Sequence, residues 1–273
     1  MFMKHIAIHS VPRSGSSWLG EILNSSPSVS YAFQPLFSYQ FKGALNANSS
    51  MVEIQNFYNN IKETDDKFVT QLDDRRSGIK PSFQKSTISH IAYKEVRYHY
   101  ILENLLEQNP AQRVIGLIRN PLSVLSSWKN APREFRTDLG WTFDSEWKHA
   151  NLKNMNKAEE YFGFERWKET ALLFKKLEKN FSSKFKLVFY TDLLSNTETV
   201  VRETFDFLEL DFTMQTKDFI SQSIQKEIAG TYSVFKKKQY IDNNYLNNLS
   251  TNIIEEVSNE CNSAGLSQFL KVS

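Results

Sequence analysis

A single cysteine, Cys261, leaves this chain unable to form an internal disulfide, and such sparing use points to a reducing compartment. No apolar run approaches the length of a membrane span. The first residues carry no signal-peptide pattern, because an apolar strand begins about five residues in. The expectation is a soluble, cytoplasmic protein without a membrane span. Neither sign of charge is in excess: 33 Lys and Arg face 31 Asp and Glu, a net +2 that gives no support to nucleic-acid binding. The five histidines and the lone cysteine show no metal-ligand spacing, so no metal is expected. The ATP-type loop G-x-x-x-x-G-K-[ST] is missing, which argues against a kinase built on it. Repeats and low-complexity segments are also missing, and no feature points to an oligomeric state.

What is present is a chain of 273 residues, long enough for one large domain spanning 1–273. Its 21 phenylalanines make it slightly rich in rings for filling a core. Short apolar runs alternate with helical patterns. Strands are expected near 5–9, 28–33, 88–96, 113–118 and 186–190. Helices are expected over 16–24, 52–61, 98–108, 164–181 and from Ser195 to Leu208, with a last one near 244–257. Ser195 with Glu198 reads as a capping box. The stripe Trp167, Ala171, Phe174, Leu177 reads as core. Asp65 to Arg76 reads as a solvated charged face. The polar stretch 130–162, with Phe135, Trp141, Phe143 and Trp147, reads as an insertion that could form a lid. Strand–helix alternation of this kind argues for a mostly parallel sheet with helices on both faces.

One stretch organises the rest. His5 to Val11 starts as a strand, turns through Pro12-Arg13-Ser14-Gly15, and enters a helix at Ser16-Ser17-Trp18. A strand, a glycine-bearing turn and a helix N-terminus together present several N–H groups to an anion. Gly15 allows close backbone approach. Ser14, Ser16 and Ser17 add hydroxyls, and Arg13 adds a cation that can fork onto two oxygens. A second block, Val114 to Ile118, is the best buried strand. It ends at Arg119-Asn120-Pro121, where Asn120 suits an N-cap and Pro121 the first helical position. Ser127 then falls about two turns into that helix. In a parallel sheet the loop at 12–17, Gln34, the strand end carrying Lys94, and Arg119 all collect at the edge where ligands bind.

These blocks carry a resemblance. Pro12 to Leu19 resembles the 5′-phosphosulfate loop of sulfotransferases, and Val114 to Pro121 followed by Ser127 resembles their 3′-phosphate motif. Ser14 to Asn24, Tyr93-Lys94-Glu95-Val96-Arg97 and Leu187 to Leu193 are most similar to carbohydrate members of that superfamily. The resemblance implies a P-loop-type three-layer α/β/α fold. It also implies use of 3′-phosphoadenosine 5′-phosphosulfate (PAPS) and transfer of its sulfuryl group to a hydroxyl or amine, the hydroxyl of a small-molecule or carbohydrate acceptor leading, without a metal. Arg13, Ser14, Gly15, Ser16, Ser17 and Trp18 would hold the 5′ end. Arg119 and Ser127 would hold the 3′-phosphate, with Ser123 and Ser126 as rival hydroxyls. Arg13 and Lys94 would ease departure of the leaving phosphate.

One position departs from the pattern. Many members carry a glutamate at the end of the second strand, where this chain has Gln34. A glutamine can orient a hydroxyl by hydrogen bonding but cannot take its proton at neutral pH. Glu95, His90, His99 and Glu21 are the alternative bases, or the fold is kept by a catalytically silent nucleotide-binding protein. Lys94 could equally be a solvated strand-end lysine, and Arg97 could serve the site or pair with a carboxylate. Lys236-Lys237-Lys238 could reach the 3′-phosphate or form a solvated run. The rings Phe37, Tyr39 and Phe41 could cover the core or form a stacking wall.

Overall fold

The computed structural model describes residues 3–225, 234–235 and 242–271. Five strands form in it: β1 (Lys4–His9), β2 (Val29–Phe33), β3 (His90–Glu95), β4 (Gln112–Ile118) and β5 (Phe185–Phe189). All neighbouring pairs are parallel, in the order β2-β3-β1-β4-β5. The central strands read as continuous apolar runs because both of their faces are covered, as Ile6, Ala7 and Ile8 are.

The longer helices are α1 (Ser16–Asn24), α2 (Met51–Glu63), α3 (Leu102–Gln108), α4 (Pro121–Lys129), α5 (Phe164–Asn180), α6 (Thr197–Leu208), α7 (Met214–Gln225) and α8 (Thr251–Ser263). Helices α1, α6 and α7 pack Leu19, Ile22, Phe205 and Phe219 onto Ile6, Ile8, Ile115 and Leu117 of one sheet face. On the other face α2, α3 and α5 pack Phe57, Leu102, Leu105 and Phe174 onto Ala7, Tyr93 and Val114. The result is the three-layer α/β/α sandwich expected. Strand order reverses around β1: the chain runs from β1 to β2 and β3 on one side, then returns to β4 and β5 on the other. The crevice between the ends of β1 and β4 is the switch point where α/β sheets bind ligands.

Three local expectations change. The polar stretch 130–162 packs its rings into the core. Phe135, Phe143, Trp147 and Phe162 are buried around Trp128 of α4 in a third apolar cluster shared with α5 and α8. Its helical pieces are short turns such as Phe143–Glu146 and Asn151–Asn154, too brief to show a periodic pattern. The capping box at Ser195 does not form. A helix over Tyr190–Ser195 precedes α6, the Ser195 hydroxyl bonds back to the Thr191 carbonyl at 2.9 Å, and Glu198 pairs with Arg202. In the charged stretch 65–76, Arg75 turns inward and grips the buried Glu21 of α1 through two nitrogens, at 2.9 and 3.0 Å. The lysines at 236–238 lie outside the described residues.

Beneath the edge runs a buried polar chain. His9 ends β1, and its Nδ1 lies 3.0 Å from His99 Nδ1, while its Nε2 lies 3.2 Å from the Tyr93 hydroxyl. The Tyr93 ring lies 5.8 Å from that of Tyr58, which donates to Gln112 at 2.9 Å. Burial pushes the His9 pKa down to about 3 and that of His99 well below the usual imidazole range, so both rings are neutral.

Candidate active site

The loop after β1 takes the shape its residues allow. Arg13 and Gly15 both have positive φ, 69° and 85°. Gly15 is the N-cap of α1, so no capping side chain stands over the first turn. Helical geometry leaves the first N–H groups of α1 without intrahelical acceptors, and they open toward the loop. A Cβ on Gly15 would collide with the ring of Tyr190, so the glycine is required by space as well as by conformation. Ser14 is fully buried, and its hydroxyl has no hydrogen-bond partner among the described residues. Ser16 and Ser17 begin α1 as expected. Trp18 stands apart: its indole N–H donates to Ser223 at 2.9 Å, so the ring ties α1 to α7.

Arg119 follows β4 directly. Asn120 caps α4 by accepting from the Leu122 N–H at 2.9 Å, and Pro121 is the first helical residue, both as expected. The Arg119 guanidinium reaches across the crevice. Its Nη1 donates to the Arg13 carbonyl at 2.7 Å, and Nε donates to Asp242 at 2.8 Å, with Nη2 gripping the other oxygen of that carboxylate. Its Cζ lies 4.9 Å from the centre of the Tyr190 ring, and the Arg119 carbonyl accepts from the Trp167 indole at 3.0 Å. Arg13 in turn donates from Nε to the Ser127 hydroxyl at 3.1 Å. Ser123 and Ser126 instead meet the tail: Ser123 donates to the Asp242 carbonyl, and Ser126 accepts from Asn248. Arg13, Arg119, Ser127 and Asp242 share the walls of a cavity of about 220 Å³.

The ends of β2 and β3 form the other half. Lys94 is buried, 3% exposed, with its ammonium 4.5 Å from the centre of the Phe33 ring. Burial pulls the Lys94 pKa down, against the pull of Glu95. Burial likewise pushes the Glu95 carboxyl up, against Lys94 and Arg97. Glu95 accepts from the Val96 N–H at 3.3 Å. Gln34 has φ 43°, an uncommon value for a residue with a side chain. Its Oε1 accepts from Arg97 at 3.2 Å, and because guanidinium only donates, this contact fixes which end of the amide is oxygen. Arg97 also donates to Glu160 at 3.0 Å and lies 4.0 Å over Phe37. Of the two readings from the sequence, the pairing with a carboxylate is present, and the same guanidinium also holds Gln34. Of the three rings, Phe41 is core, Phe37 carries Arg97 on one face, and Tyr39 is fully exposed.

The alternative bases separate by position. Glu21 is bound to Arg75, as above. His90 begins β3, at the opposite edge, 3.2 Å from the Leu208 carbonyl. His99 belongs to the buried chain behind β1. Glu95 stands at the correct edge but is wholly buried. Sequence reasoning missed Glu134. This residue lies in the turn after α4, and its carboxylate comes 3.7 Å from Arg13 Nη1. Nothing local marked it, since the contact spans 121 residues, from 13 to 134.

Residues 3–266 match the Sulfotransferase domain family. The structure of mouse sulfotransferase SULT7A1, solved with PAP, is similar at a TM-score of 0.55 and 14% identity, over 98% of this chain and 89% of that one. A sulfotransferase from Alicyclobacillus acidocaldarius is similar at 0.54 and 14%, over 99% and 96% of the two chains. At such identities the likeness speaks for the fold. No curated protein is matched. The family match covers nearly the whole chain: this protein belongs to the sulfotransferase domain family, a family of PAPS-dependent transferases.

Proposed function

We propose that the protein transfers a sulfuryl group from PAPS to the hydroxyl of a hydroxyl-rich small molecule, a carbohydrate being the favoured class. The observation that carries this reading is the contact of Arg119 with the loop carbonyl of Arg13, beside Ser127. It joins two anion-binding features across one crevice, as a donor with two anionic ends requires. The residues fit that donor. The orphaned Ser14 hydroxyl and the uncapped first turn of α1 suit the phosphosulfate end. Arg119 and Ser127 suit a phosphate on the 3′ carbon. When bound, the donor supplies an electrophilic sulfur and a phosphate leaving group.

The chain's own residues do the rest. Arg13 and Lys94 bring positive charge to the leaving phosphate, where a buried cation acts more strongly than in water. Gln34, its oxygen held by Arg97, turns its amide N–H groups to other partners and orients the acceptor hydroxyl. The surroundings of Lys94 and Arg13 are polar, with Gln34, Arg97, Glu134 and Glu160. Such a wall can hydrogen-bond a sugar at several points. The rings of Phe33 and Phe37 already carry Lys94 and Arg97, so stacking has a lesser part.

Isothermal titration with 3′-phosphoadenosine 5′-phosphate (PAP), against adenosine 5′-phosphate as control, tests the donor half. Binding that depends on the 3′-phosphate is expected, and absence of PAP binding at high micromolar concentration overturns the reading. Gln34 favours one second reading, a silent nucleotide-binding protein. Sulfate transfer from PAPS to any member of a sugar and phenol panel removes it.

A further inference from the structure

We propose that Glu134 accepts the proton of the acceptor hydroxyl, the task that Gln34 lacks the chemistry to perform. This rests on the transferase reading above. Glu134 lies in the tight turn that ends α4: its N–H and that of Phe135 both bond to the Ala131 carbonyl, at 2.8 and 2.7 Å, and its carbonyl accepts from the Trp128 indole at 3.4 Å. The backbone is thus pinned to a buried tryptophan, and the carboxylate is held in one region of the site. That region adjoins Arg13, one of the two cations assigned to the leaving phosphate. The carboxylate is 3.7 Å from Arg13 Nη1, and it also attracts the buried Lys94.

The second observation is an unmet hydrogen bond. Oε2 of Glu134, the oxygen that faces Arg13 Nη1 at 3.7 Å, is buried and accepts no hydrogen bond among the described residues. A buried carboxylate oxygen left so is costly, and such groups persist where a function uses them. An acceptor hydroxyl would satisfy it by donating to it. Glu160 has a similarly unpartnered oxygen, but its other oxygen is bound to Arg97, which also holds Gln34. The Glu134 side chain is 24% exposed, which leaves a route by which the proton can pass on to water.

The step balances. The acceptor oxygen forms its bond to sulfur with a lone pair. The bond from sulfur to the bridging phosphate oxygen breaks, and its electron pair leaves with the phosphate. The acceptor proton passes to Glu134.

The test compares wild type with Glu134→Gln, Glu134→Asp and Glu134→Ala. PAP affinity is measured by titration, and transfer from PAPS is measured to methyl glucoside, phenol and 4-nitrophenol. Glu134→Gln is expected to bind PAP within about threefold of wild type. It should lose about 10²–10⁴-fold in transfer to methyl glucoside and phenol, with the smallest loss on 4-nitrophenol, which needs least help to ionise. Glu134→Asp should fall between, and formate should restore part of the rate to Glu134→Ala. Undiminished transfer by Glu134→Gln overturns the proposal, as does an equal loss on all acceptors without formate rescue. Loss of PAP binding in both the Gln and Asp variants also overturns it, by assigning Glu134 to the donor site. PAP binding without transfer by the wild type overturns the transferase reading itself, whereas transfer that ignores Glu134 overturns only the base.

Discussion

Two halves of the site share the C-terminal edge of the sheet but are assembled differently. The loop half draws its groups from short continuous stretches, 13–17 and 119–127, each a strand end running into a helix start. Its geometry follows from local rules: positive φ at Gly15, an Asn–Pro helix start, a serine two turns on. The polar half draws Gln34, Lys94, Arg97, Glu134 and Glu160 from four distant segments, and its contacts pair residues such as 34 with 97 and 97 with 160. In the function proposed above, the loop half recognises features that every PAPS molecule carries, and the polar half meets the acceptor.

The contrast breaks most sharply at Arg119. Arg119→Ala is expected to weaken PAP binding by about 100-fold or more, because charge-assisted contacts to phosphate are lost. It should also destabilise the fold by about 3 kcal/mol, because the buried ion pair of Asp242 with Arg119 is broken. Titration and urea unfolding read the two effects, and wild-type affinity in this variant would mean that the 3′-phosphate sits elsewhere. A smaller effect comes from acid and strikes the layer below the loop half. The pKa of His9 is lowered on folding, so its contribution is complete above the unfolded value near 6.5 and is lost as pH falls toward about 3. Between pH 7 and pH 5 the neutral His9 alone should cost the fold about 2 kcal/mol. Urea midpoints at the two pH values check this, with a flatter dependence expected in His9→Gln. The smallest change belongs to the polar half: Gln34→Ala should lose about 1 kcal/mol of stability with its hydrogen bond from Arg97. PAP affinity should stay within about threefold, and a larger fall would show that the two halves are not separable.

The same division explains what could be read from the residues. The sheet, the sandwich and the loop half were legible because strand periodicity, Gly15 and Asn120-Pro121 act on their nearest neighbours in sequence. Lys94 and Gln34 were legible as strand ends. The grip of Asp242 on Arg119, the link from Gln34 through Arg97 to Glu160, and the approach of Glu134 to Arg13 were not, since each depends on packing between remote segments. Tertiary contacts also overrode local signals at Ser195, where a preceding helix took its hydroxyl, and at Arg75, which left the charged surface for Glu21. The stretch 130–162 was illegible because its rings serve a cluster around Trp128 and not a periodic helix face.

Arg119 touches the loop through Arg13, the tail through Asp242, α5 through Trp167, and the ring of Tyr190, which itself closes the space beside Gly15. In the function proposed above, one side chain serves both the architecture and the nucleotide, and any change at this position must answer to both demands at once. Gln34, held by Arg97, carries fewer such obligations.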